Sequence, residues 1–90
     1  MATVFIPTLL KELTGGLTEV EADGASVRLL IEDLDRRFPG LGARLTDGGR
    51  LRPNVSVAID GEISPLGLIE KVPPGSEVHF VTAIKGGMVP

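Results

Sequence analysis

Gly86 and Gly87 are the two residues of this sequence whose type and placement suggest chemistry at the main chain rather than at a side chain. Glycine has no Cβ and ranges freely over φ/ψ space, so a Gly-Gly pair can thread extended through a narrow tunnel and present a carboxyl carbon to a reactant beyond it. Any larger residue would obstruct that passage. By itself a glycine pair near a chain end reads as a loose terminus, and Gly15-Gly16 and Gly48-Gly49 read as turns. The weight of Gly86-Gly87 therefore depends on the elements that precede the pair.

Side-chain chemistry has little to work with. The chain has no cysteine, which excludes disulfides, thiolate metal sites and a cysteine nucleophile. His79 is the single histidine and stands in a strand-like run without an acidic cluster around it, which points to a structural or surface role. Glu32, Asp33, Asp35, Arg36 and Arg37 fit the solvated face of a helix, with Asp33 and Arg37 at the favourable four-residue spacing. Asp60, followed by Gly61, fits a tight turn better than a metal ligand. No nucleophile, base and orienting group can be assembled, so the chain is expected to be acted upon rather than to be an enzyme.

Composition agrees. Ninety residues, 42% hydrophobic and 23% charged, describe one globular domain too small for a deep polar cleft. A net charge of −3 with three phenylalanines and no tryptophan or tyrosine argues against nucleic-acid binding. No apolar run approaches the roughly 18 residues that span a bilayer, and the N-terminus lacks a basic leader, so no membrane partner is expected and the cytoplasm is the expected location.

The elements that would position the glycines can be read from periodicity. Val4-Phe5-Ile6 and Leu17–Glu21 form a hairpin through Thr14-Gly15-Gly16. Val27, Leu30, Ile31, Leu34 and Phe38 recur at helical spacing after the N-cap Ser26, and Pro39-Gly40 stops that helix. A glycine-rich connection comes next, with Leu41, Leu45 and Leu51 as anchors and a helical turn around Ala43. Val55, Val57 and Ile59 alternate into a strand that Asp60-Gly61 turns towards a short strand at Ile63. Glu77–Ile84 is the longest strand, apolar on both faces and hence central, so that the tail leaving it projects from the middle of a sheet. The sum is an α+β fold of β-grasp form: a mixed sheet of four to five strands with one main helix on one face.

In this order, Ser26-Val27 to Leu34, Phe38-Pro39, Gly49-Arg50-Leu51-Arg52, Asn54–Gly61, Pro74–Val78 and Ala83-Ile84-Lys85-Gly86-Gly87 resemble the ubiquitin-like sulfur-carrier family of the ThiS and MoaD type over nearly the whole chain. Ile6–Leu10 with Thr14-Gly15-Gly16 is similar to the carriers of cysteine biosynthesis, the CysO type. The resemblance implies a domain of residues 1–87 and a removable extension of residues 88–90, Met88-Val89-Pro90. It implies that a metalloprotease exposes the Gly87 carboxylate, that an activating enzyme adenylates it with ATP and Mg²⁺ of its own, and that a sulfur donor converts it to a thiocarboxylate. The chain itself would bind no cofactor and no metal. The sulfur would pass to a biosynthetic enzyme such as a cysteine synthase, or to molybdopterin or thiamine synthesis. Lys85 departs from the small or apolar residue common there. A protein modifier forming isopeptide bonds through Gly87, and a binding subunit whose tail is never processed, are the other readings. Docking residues are expected among exposed members of Phe80, Val81, Ile84, Leu66 and Leu68.

Overall fold

The computed structural model describes residues 1–82. Strand β1, Ala2–Phe5, pairs antiparallel with β2, Glu19–Ala22, in the register Val4 to Val20 and Phe5 to Glu19. Between them lies a 3-10 helix, Thr8–Thr14, which the turn reading of Thr14-Gly15-Gly16 does not include. Buried Thr14 fixes its end by donating towards the carbonyls of Leu17 at 2.9 Å and Lys11 at 3.0 Å.

Helix α1, Val27–Arg37, starts where the Ser26 hydroxyl accepts from the Leu29 amide at 3.3 Å, giving a partner to an otherwise unpaired donor of the first turn. Val27, Leu30, Ile31 and Leu34 form its buried stripe. Past Gly40, at φ 99°, helix α2, Leu41–Leu45, is held against α1 by Asp35, which accepts from the Gly40 and Gly42 amides at 3.2 and 2.9 Å. Strands β3, Thr46–Asp47, and β4, Arg50–Leu51, close a small separate hairpin over Gly48-Gly49. Strand β5, Val55–Ile59, turns through Asp60 and Gly61, both at positive φ, into β6, Glu62–Ile63. A second 3-10 helix, Gly67–Ile69, precedes β7, Glu77–Thr82.

The main sheet runs β2-β1-β7-β5-β6, with β1 and β7 parallel and the other pairs antiparallel. The expected mixed sheet thus has five strands, and β7 is its centre. Its inner face supplies Val4, Val20, Val57, Val78 and Phe80 to a core completed by the α1 stripe, Leu41, Leu45 and Leu68.

Asp33 ties the helix to the sheet edge. It accepts from the Asp23 amide at 3.0 Å and pairs with Arg36 and Arg37, while Arg37 donates to the Glu21 carbonyl of β2. The Asp23 amide first, then Arg36, hold its carboxyl below the usual carboxylate range. A depressed carboxylate contributes stability above its unfolded pKa and loses it as pH falls through the folded one. Asp33→Asn is therefore expected to unfold at lower urea than the parent at pH 7, with the difference closing as pH falls through the depressed folded pKa of Asp33. Urea midpoints of both proteins across pH 2–7 check this, and a gap unchanged at the acid end contradicts it.

Candidate functional site

Strand β7 alternates between two environments. Val78 and Phe80 enter the core, while Glu77, His79 and Val81 point away from the helix. Cross-strand register then aligns a row over the outer face, Glu19, Phe5, His79, Ala58 and Ile63, on β2, β1, β7, β5 and β6 respectively. Within it the rings of Phe5 and His79 stack flat, with centroids 4.1 Å apart and planes 2° from parallel. Ala58 is buried yet stands outside the core cluster, as its place on the outer face requires. Ile63 is 61% exposed at the edge of the row.

Towards the C-terminal end of β7, Val81 lies opposite Ser56. There, Ile6, Pro7, Thr8 and Leu9 form one wall and His79 to Thr82 the other of an open groove of about 450 Å³. Thr82, the last described residue of β7, is part of the groove lining.

The expected docking residues fall into three groups. Val81 is 50% exposed and lines the groove. Leu66 is also exposed, but its amide is pinned to the Ser64 hydroxyl in the loop before the second 3-10 helix, and it does not line the groove. Phe80 and Leu68 are buried in the core and are corrected here to packing residues: strand alternation sends Phe80 inward opposite Val57, and the 3-10 turn directs Leu68 inward between exposed Leu66 and Ile69. Ile84, Gly86 and Gly87 lie outside the described residues.

Phe5, Leu9 and Ile63 belong to the outer surface without having been expected there, and His79, read as structural or surface-exposed, lies there with them. Phe5 could have been found from its alternation with inward Val4, and His79 from its two-residue spacing from Val81. Leu9 carries no such signal, since its exposure depends on the 3-10 helix. Among the described residues there is no group of three or more acidic or histidine side chains able to hold a metal ion. Asp33, the carboxylate with a shifted pKa, sits on α1, across the sheet from this face. The outer face is thus apolar around the groove at the end of β7, suited there to contact rather than to side-chain catalysis.

Residues 4–87 match the ThiS family. The chain belongs to that family. It is 33% identical over 90 residues to the sulfur carrier protein CysO of Mycobacterium tuberculosis, covering 94% of this chain and 97% of the relative. The CysO-type fold is also found in the Amycolatopsis orientalis BexX/CysO complex, where a chain 36% identical superposes with a TM-score of 0.92 over 97% of this chain and all of the other. SAMP1 from Haloferax volcanii is 29% identical, with a TM-score of 0.73 over 96% of this chain and 98% of that one. These likenesses make this ThiS-family chain a ubiquitin-like β-grasp protein of the sulfur-carrier type.

Core and surface members of β7 are separable by truncation. Phe80→Ala is expected to cost about 3–5 kcal/mol of unfolding free energy by cavity formation, and Val81→Ala to change it by less than about 0.5 kcal/mol. Urea denaturation of both variants measures this; comparable losses would mean that Val81 is packed.

Proposed function

We propose that this protein carries sulfur as a thiocarboxylate on Gly87 and is a substrate of its partner enzymes rather than a catalyst. The observation that carries this reading is the family match over residues 4–87, which ends on the second glycine and leaves Met88-Val89-Pro90 beyond it. Proteolysis after Gly87 frees a carboxylate. Its oxygen attacks the α-phosphorus of ATP on an activating enzyme, pyrophosphate leaves, and the resulting acyl-adenylate is an electrophile where the carboxylate was not. Sulfur delivered at the sulfide level, as HS⁻, then attacks the acyl carbon, AMP departs, and loss of the S–H proton leaves a thiocarboxylate with a nucleophilic sulfur. Mg²⁺ and ATP belong to the activating enzyme, and a metalloprotease supplies the cleavage. The likeness to CysO favours a cysteine-synthase type of acceptor.

Glycines at 86 and 87 suit the tunnel of such an enzyme, since a Cβ at either position would widen the strand that must pass. The enzyme also needs a body contact, because a short tail alone offers little area to recognise. The outer face supplies it: Val81, Leu9 and Phe5 are apolar and line the groove that includes Thr82, with Ile63 farther out at the sheet edge. A second reading, a modifier joined to lysines through the same acyl-adenylate, is favoured by the likeness to SAMP1.

Intact-mass spectrometry of the protein from its own cells is expected to show a chain ending at Gly87 with one oxygen replaced by sulfur. Chains that always retain Met88-Val89-Pro90 would exclude both readings and leave a binding subunit, whereas Gly87 found on lysines of other proteins would favour the modifier. For the docking face, Val81→Asp in the chain ending at Gly87 is expected to lower kcat/KM for adenylation at least tenfold, a loss of about 1.4 kcal/mol, with an unchanged urea midpoint. Undiminished adenylation would remove Val81 from the contact.

A further inference from the structure

The five strands of the main sheet, β2, β1, β7, β5 and β6, contain four glutamates and no lysine or arginine. Three of those glutamates share the outer face. Glu19 ends the row of Phe5 and His79, and Glu21 and Glu77 flank Thr3 in the next row, where the Thr3 hydroxyl donates to Glu21 at 2.6 Å. The fourth, Glu62, lies at the β6 edge opposite Ile59. No salt bridge to Glu19, Glu21 or Glu77 occurs among the described residues.

The rest of the charge is arranged differently. On α1, Arg28 pairs with Glu32 at 3.1 Å, and Arg36 and Arg37 pair with Asp33, so that surface is a mosaic of opposite signs. Arg44, Arg50 and Arg52 lie on α2, β4 and the segment after it, Lys11 on the first 3-10 helix and Lys71 beside Ser26, none of them within a strand of the main sheet. The outer face is therefore apolar near the tail and of one sign on its far side.

We propose that the enzyme which activates Gly87 receives this face on an apolar patch bordered by lysines and arginines opposite Glu19, Glu21 and Glu77. The inference rests on the carrier reading and adds to it the electrostatic character of the partner. Geometry links the two surfaces. Ala83 to Gly87 are five residues, which reach at most about 18 Å beyond Thr82. An active site holding the Gly87 carboxylate therefore lies within that distance of Thr82, at the end of β7 that lines the apolar groove, so an enzyme body that takes the tail comes up against the domain there. Unpaired like charges at the rim of an interface act mainly on the rate and selectivity of encounter, and their effect is screened by salt.

Adenylation kinetics of the full domain ending at Gly87, with the activating enzyme of its own organism, test this. Neutralising the face with Glu19→Gln, Glu21→Gln and Glu77→Gln together is expected to lower kcat/KM about tenfold at low ionic strength, to abolish most of its decline with added NaCl, and to leave kcat at saturation unchanged. A control removing the same charge elsewhere, Glu12→Gln, Glu32→Gln and Asp47→Asn, is expected to keep the parent kcat/KM. Equal losses in both triple variants, or a parent kcat/KM indifferent to NaCl, would overturn the matched-charge interface while leaving the carrier reading intact. A parent chain that is never adenylated at any salt concentration would instead sink the carrier reading and the interface with it. Circular dichroism melts of both triple variants separate a lost contact from a lost fold.

Discussion

The parallel pairing of β1 with β7 is the constraint on which the rest of this molecule depends. It joins the beginning of the chain to the last described strand, in the register Val4 to Val78 and Phe5 to His79, and so places β7 between β1 and β5. Parallel neighbours cannot be joined by a tight turn, and everything from β2 to the second 3-10 helix lies within the connection between them. Helix α1 is the part of that connection that covers the inner face, and its stripe of Val27, Leu30, Ile31 and Leu34 fixes which side chains of β7 are core. Register is set by that burial, because a slip by one residue would send His79 and Val81 inward and expose Val78 and Phe80.

From the same register comes the functional geometry. As a central strand β7 is held on both sides, by β1 as far as His79 and by β5 as far as Thr82, which lies opposite Val55. On the carrier reading proposed above, the chain contributes a handle and an origin for the tail, and bond making falls to groups on other proteins. That division suits a 90-residue domain, whose core is fully used in holding the sheet and helix together.

Much of this was legible from periodicity, and the exceptions have physical reasons. Helix α1 was readable because Ser26 begins it and its apolar stripe runs without interruption. Asp60-Gly61 announced its turn because few residues other than glycine, asparagine and aspartate accept positive φ. The 3-10 helix at Thr8–Thr14 was not readable: its seven residues are too short for a helical period, and its end is held by the Thr14 hydroxyl on two carbonyls. Gly24 has a role that the sequence does not announce. In the structure an added Cβ there would lie 2.6 Å from the Leu30 nitrogen, so its requirement is the close approach of the chain to α1. At the candidate site, the apolar run of β7 gave its residues and their alternation, with Val78 and Phe80 on one face and Val81 on the other, but not which face is core. Val81 and Phe80 are adjacent and equally apolar in sequence, and only the helix beneath one of them distinguishes contact surface from core.

An exposed apolar sheet face carries a hazard, because sheets with open edges pair with one another. Here the edges are blunted. Strand β6 is two residues long, and the outward backbone groups around β2 are occupied by α1: Arg37 donates to the Glu21 carbonyl and Asp33 accepts from the Asp23 amide. The helix side chains that anchor α1 thus also cover the sheet edge. Glu19, Glu21 and Glu77 add a second barrier, since two copies meeting face to face would bring carboxylates together without a basic residue on either sheet to offset them. A face that repels its own copy can remain apolar enough to be recognised by another surface. The carboxylates that would select a partner therefore also keep the protein from selecting itself.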